Sequence, residues 1–189
     1  DKSKFNGGVH DEKILEFALK TFKKFHNEKK LFLTVSTLDT HIPYGYPSEN
    51  CKKKFDYKIK ILSKNNLKIS YNCTSRNILN FINQIKKIDS KNTVIVLLGD
   101  HRLMAPLDYI DIKNIEEKQR FLYNRFINFE NNIRFYRNEM NYFDLLPSLL
   151  EFVGFNLSDG RLGLGFSVFK KHNEKNYRNL QLNMEKIIK

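Results

Sequence analysis

No run in this 189-residue sequence is long and apolar enough to span a bilayer, and no apolar signal segment opens it, so no membrane-crossing helix is expected within it. Cysteine is scarce. Only Cys51 and Cys73 are present, and no Cys-x-x-Cys pair or Cys/His metal spacing accompanies them, which argues against a structural zinc site. Zinc-finger spacing, an RNA-recognition aromatic motif and a concentrated basic helix are also missing. Nucleic acid is therefore not an expected partner, although the net charge is +12 and the pI near 9.6. The lysines are spread along the chain among many Asn and Ile, and the same charge would suit the anionic surface of a membrane. Internal repeats and low-complexity tracts are absent. The first residue is Asp1 rather than an initiator Met, and the expectation is a piece of a longer protein.

What is present suits a folded chain: 41% hydrophobic and 13% aromatic residues argue against disorder and for one domain over 1–189, with a polar tail over 170–189. The organising stretch is Asn92 to Leu103, NTVIVLLGDHRL. Thr93 to Leu98 is continuous rather than alternating in its apolar residues, which predicts a strand buried on both faces. It stops at Gly99 and delivers Asp100 and His101 together at its carboxyl end, where open α/β sheets bind ligands. Asp and His suit Zn²⁺ or Mn²⁺. Their bland reading is a turn cap and a surface histidine.

A second segment repeats the pattern. Leu31 to Leu38, LFLTVSTL, predicts another buried strand, running into Asp39-Thr40-His41-Ile42-Pro43. Before it, Asp11 is read as the N-cap of a covering helix with Ile14, Leu15, Ala18, Phe22 and Phe25 at helical spacing. Residues 1–8 and 44–57 are read as loops. Leu67, Tyr71, Thr74, Ile78, Ile82 and Ile85 predict a long helix from about Asn65 to Lys87. Cys51 and Cys73 are either two free thiols or one bridge; a bridge would suit an extracytoplasmic chain and contribute roughly 3 kcal/mol.

Past His101, residues 104–117 are expected to edge an active site as a loop, and Phe121 to Phe129 and Ile133 to Tyr136 to form edge strands. Asp144 is read as starting a helix from Leu145 to Val153, with Pro147 in its first turn and Gly154 as its cap. Gly160, Gly163 and Gly165 mark a turn region before Phe166 to Phe169, and the tail ends in a weakly amphipathic stripe from Leu180 to Ile188. Strands alternating with helices indicate an α/β sandwich with a largely parallel sheet flanked by helices.

Five blocks carry a resemblance: TLDTHIPYGYPSENC (37–51), YNCTSRNILNFI (71–82), VIVLLGDHRLM (94–104), FDLLPSLLEFVG (143–154) and LGLGFSVF (162–169). In this order they resemble the sulfatase-like branch of the alkaline phosphatase superfamily. The likeness is greatest to the membrane-anchored phosphoglycerol transferases of the glucan-modifying and lipoteichoic acid synthase-like kind, with phosphoethanolamine transferases nearer than arylsulfatases. GDH alone is a weak motif; five ordered blocks over nearly the whole chain are a strong one.

The resemblance implies that Asp100 and His101 are two ligands of a catalytic divalent metal, manganese or zinc, and that His41 faces the substrate phosphate. Relatives that modify glucans carry cysteines at the matching positions, which implies a Cys51–Cys73 bridge. It further implies an anionic phospholipid donor, a glycan or glycerol-polymer acceptor, and a site on the extracytoplasmic face of the cell membrane, reached through a missing amino-terminal segment. The family's nucleophilic Thr and its acidic metal ligand belong to a region before the matched blocks. Thr34, Thr37, Thr40 and Thr93 fit structural roles, so no nucleophile is assigned in this chain. The absence of a further His after GDH favours a phosphoglycerol donor over phosphoethanolamine. The alternatives are a sulfate or phosphate ester hydrolase of the same fold, whose modified Cys or Ser would also lie upstream, and a non-catalytic module with a vestigial site.

Overall fold

The computed structural model describes residues 4–5, 8–42, 44–54, 64–101, 121–171 and 183. In chain order the elements are β1 (Lys4–Phe5), β2 (Gly8–Val9), α1 (Asp11–Phe25), α2 (Glu49–Lys54), α3 (Lys64–Ile88), β3 (Val94–Leu98), β4 (Asn124–Asn128), α4 (Tyr142–Phe152), a 3₁₀ turn (Ser158–Gly160), β5 (Arg161–Leu162) and β6 (Gly165–Phe166). The chain divides into two compact units, Asp1–Thr93 with Leu97–Asn124, and Val94–Val96 with Arg125–Lys189. Among the described residues no helix is long and apolar enough to cross a membrane.

The first unit is built on α1 and α3. Leu15, Ala18, Leu19 and Phe22 are buried at steps of three, one and three, a stripe that turns one face of α1 inward. Asp11 and Glu12 in its first turn and Lys23 and Lys24 in its last complement the helix dipole. Phe25 leaves the apolar stripe: the Lys24 and Lys29 ammonium groups stand 4.9 and 4.5 Å from its ring centre. α3 runs as the spacing predicts, but its buried face carries Leu67, Ser70, Cys73 and Thr74, while Tyr71 is turned out to 54% exposure.

Four expectations are corrected here. Leu31 to Leu38 is extended but belongs to no strand ladder, and Phe32 is 80% exposed. A strand's hydrogen bonds close only on a neighbour, and among the described residues this segment has none. β3 lies where expected, but its residues are half-buried and Leu98 is 45% exposed, so it is not covered on both faces. In place of a largely parallel sheet, the described strands form three two-stranded sheets, and the β1–β2 and β5–β6 pairs are antiparallel. Residues 49–54, within a segment read as loop, form α2. Residues 104–117 and nearly all of the 170–189 tail lie outside the described residues.

β3 and β4 are paired neighbours, and in the second unit Phe126 on β4 meets the rings of Phe135, Phe152 and Phe169 edge-on at 6.2, 5.1 and 5.2 Å. Residues 133–136, predicted as a strand, form none. α4 begins three residues earlier than its apolar run because Asn141, not Asp144, is its N-cap. Asp144 is the third helical residue of a capping box, its carboxylate returning to the Asn141 amide at 3.0 Å. The same buried carboxylate accepts the Phe166 amide at 2.9 Å and pairs with Arg137 at 2.8 Å. Pro147 therefore lies well inside the helix. It offers no N–H to the Phe143 carbonyl four residues back, and Gly165 packs against that carbonyl so closely that a Cβ would overlap it.

Asp144 is thus the junction of α4, the Arg137 side chain and the β5–β6 hairpin. Replacing it with Ala would strand the Arg137 charge and the Phe166 amide in a buried site, a loss of about 3–5 kcal/mol. Denaturant unfolding of Asp144→Ala followed by circular dichroism checks this; a change below about 1 kcal/mol would contradict the role.

Candidate active site

The residues assigned chemistry all lie in the first unit. Asp100 and His101 follow β3 through Gly99, whose amide donates to the Tyr123 carbonyl at 2.8 Å. The Asp100 side chain is 88% exposed and that of His101 49%. The Asp100 carboxylate accepts the His101 amide at 2.9 Å, and its other oxygen stands 3.5 Å from His101 Nε2. A hard oxygen and a borderline nitrogen on adjacent, exposed residues fit part of a zinc or manganese shell. Among the described residues no three His, Cys, Asp or Glu side chains are grouped to hold a metal, so His41 does not join this pair as a third ligand.

His41 is exposed on the loop after Leu38. Its Nδ1 is 2.6 Å from the Ile42 carbonyl, and a carbonyl only accepts, so Nδ1 carries the proton and Nε2 is the basic ring atom. Backbone bonds shape the loop: the His41 amide donates to the Leu38 carbonyl at 3.0 Å, Gly45 to His41 at 3.0 Å and Tyr46 to Asp39 at 2.7 Å. Cys51 and Cys73 are joined by a disulfide with their Cα atoms 5.9 Å apart, and their sulfurs cluster with Ile69.

Beneath this loop lies a buried polar network that sequence reasoning missed. Asp11 is not the N-cap of α1. That position is held by His10, whose side chain does no capping, and the remote Asp39 carboxylate accepts the Asp11 amide at 3.2 Å instead. In return, one Asp11 oxygen accepts the amides of Leu38 and Asp39 at 2.6 and 3.1 Å, and the other accepts the Thr74 hydroxyl at 2.6 Å. His10 Nδ1 closes the network on Asp39 at 2.8 Å. Local spacing carries no sign that residues 11, 39 and 74 meet. Asp11 and Asp39 stand beside apolar runs, but Thr74 lies within the spacing of the long helix and gives no sign of either partner.

Burial and the neighbouring Asp11 charge, in that order, raise the Asp39 carboxyl from its ordinary 3.8 to about 6, against the pull of the His10 hydrogen bond. Because the folded value lies above the unfolded one, this group's contribution to stability is complete below about pH 4 and is lost as pH rises through about 6. Asp39→Asn abolishes that titration. Its unfolding free energy should therefore fall less steeply than the wild type's between about pH 4 and pH 7, by no more than about 3 kcal/mol, in urea titrations at several pH values. Parallel curves would mean that Asp39 ionises normally.

A family model described as Sulfatase matches residues 1–155. No curated protein matches the chain, and no solved structure does.

Proposed function

The chain belongs to the sulfatase family, and on that premise we propose that it serves a metal-dependent phosphotransferase of the phosphoglycerol transferase kind. The reaction moves phosphoglycerol from an anionic phospholipid, or phosphoethanolamine from a zwitterionic one, to a glycan or glycerol-polymer acceptor on the extracytoplasmic face of the cell membrane. One observation carries the reading: Asp100 and His101 stand exposed and adjacent at the end of β3, in the same unit as an exposed His41 with a defined tautomer.

In this reading Asp100 and His101 hold the divalent metal together with ligands from outside this chain. The metal, when bound, supplies charge neutralisation at a phosphodiester oxygen and lowers the pKa of an attacking hydroxyl. His41, through Nε2, stabilises charge on the transferred group or gives a proton to the leaving oxygen. The nucleophile is a Thr outside this chain: its oxygen would displace diacylglycerol from the donor's phosphorus to leave a phosphoglycerol ester on the Thr, and the acceptor hydroxyl would then displace the Thr oxygen, which regains its proton. The basic surface, at net +12, favours approach to anionic lipid.

In the enzyme carrying this chain, Asp100→Ala should lose metal and reduce transfer of labelled phosphoglycerol from phosphatidylglycerol by about a hundredfold or more. His41→Ala should reduce transfer by about 10²–10⁴-fold while metal content stays. An Asp100→Ala protein with full metal and full transfer would overturn the assignment and favour a vestigial site. The description of the family model favours a second reading, a sulfate or phosphate ester hydrolase. Release of sulfate from an aryl sulfate, with no phosphoglycerol transfer, would establish it.

A further inference from the structure

The loop that bears His41 is fastened to α3 at successive points along one face of that helix. Before His41, Thr74 donates to Asp11 at 2.6 Å, and Asp11 in turn receives the Leu38 and Asp39 amides at 2.6 and 3.1 Å. After it, Cys51 is bonded to Cys73, the residue next to Thr74. Between the two, Gly45 at φ +70° comes down on the helix, where a Cβ would stand 2.8 Å from both the Leu67 Cα and the Ser70 Oγ. Leu67, Ser70, Cys73 and Thr74 are spaced as neighbours on one helical face, and all are buried.

We propose that α3 positions His41 through these fastenings, with Thr74 acting as a positioning residue by way of Asp11. The proposal rests on the reading of His41 as the group that meets the transferred phosphate. Burying a carboxylate between two helices stabilises them less well than an apolar pair of the same volume. What the carboxylate adds is direction, because it takes two successive amides and so fixes where the turn into His41 begins. The His41 ring makes its own hydrogen bond only to the adjacent Ile42 carbonyl among the bonds described, so its placement against the rest of the unit comes through the backbone. Thr74 ends that chain of contacts on the rigid body of a 25-residue helix.

The test uses the isotope-labelled 189-residue chain and two substitutions at one position. Thr74→Val removes the hydroxyl and keeps the shape; Thr74→Ser restores the hydroxyl. In Thr74→Val, amide hydrogen exchange at Leu38, Asp39 and His41 should accelerate about tenfold or more, while amides of α4 and of Phe166 and Val168 keep their wild-type rates. The His41 ring nitrogen resonances should move from the Nδ1–H pattern toward the average of the two tautomers. Thr74→Ser should restore both readouts.

Should Thr74→Val fail to fold, chemical reduction of the Cys51–Cys73 bridge in the wild type tests the second fastening, with faster exchange expected at His41, Gly45 and Tyr46. Unchanged exchange and ring resonances in Thr74→Val, or equal effects of Val and Ser, would overturn the proposal, as would indifference of the loop to reduction. Failure of the functional reading looks different. A His41→Ala enzyme with full transfer would remove the role of His41 and leave the exchange results standing.

Discussion

The exchange of hydrogen bonds between Asp11 and Asp39 is the interaction on which the first unit depends. Each carboxylate accepts the other residue's amide, at 3.1 and 3.2 Å, so the start of α1 and the end of the extended Leu31–Leu38 segment are locked together. Neither carboxylate is exposed, and a buried charge is tolerated only when its lone pairs are filled. Leu38, Thr74 and His10 fill them. The raised Asp39 pKa is the residual cost of burying this acid and, after that, of placing it beside Asp11.

The second unit uses the same device with different partners. Asp144, also fully buried and also in the first turn of a helix, gathers the Asn141 and Phe166 amides and the Arg137 guanidinium. Ser148, one turn on, donates to the Asp144 carbonyl at 2.6 Å and accepts the Val168 amide at 3.0 Å. In both units an acid near a helix start binds the backbone of a remote segment. The positive end of the helix dipole favours that location for the charge. The segment so held in the first unit carries His41, and in the second it is the short hairpin that covers α4.

Helices were legible in the sequence because their hydrogen bonds close within the segment and their apolar period shows which face turns inward. α1 and α3 ran over the ranges their spacing predicts, and α4 was displaced only because a capping box moves the start upstream of the first apolar residue. β3 was legible as a strand, but Leu31–Leu38, as β-branched and as apolar, forms no ladder among the described residues. A strand is a property of two segments, and composition describes only one. α2 went unread because Glu49–Lys54 is too short to show a period.

The sequence by itself determined the three longer helices, the strand leading to Asp100 and His101, and the ordered blocks that resemble its family. Those features depend on neighbours in the chain, and neighbours are what a sequence displays. Tertiary structure alone decided that Asp11 serves the His41 loop rather than its own helix end, that Thr74 is its partner, and that Gly45 must be glycine because α3 leaves no room for a Cβ. Each of these joins residues at least twenty positions apart, where only the folded path of the backbone sets who meets whom.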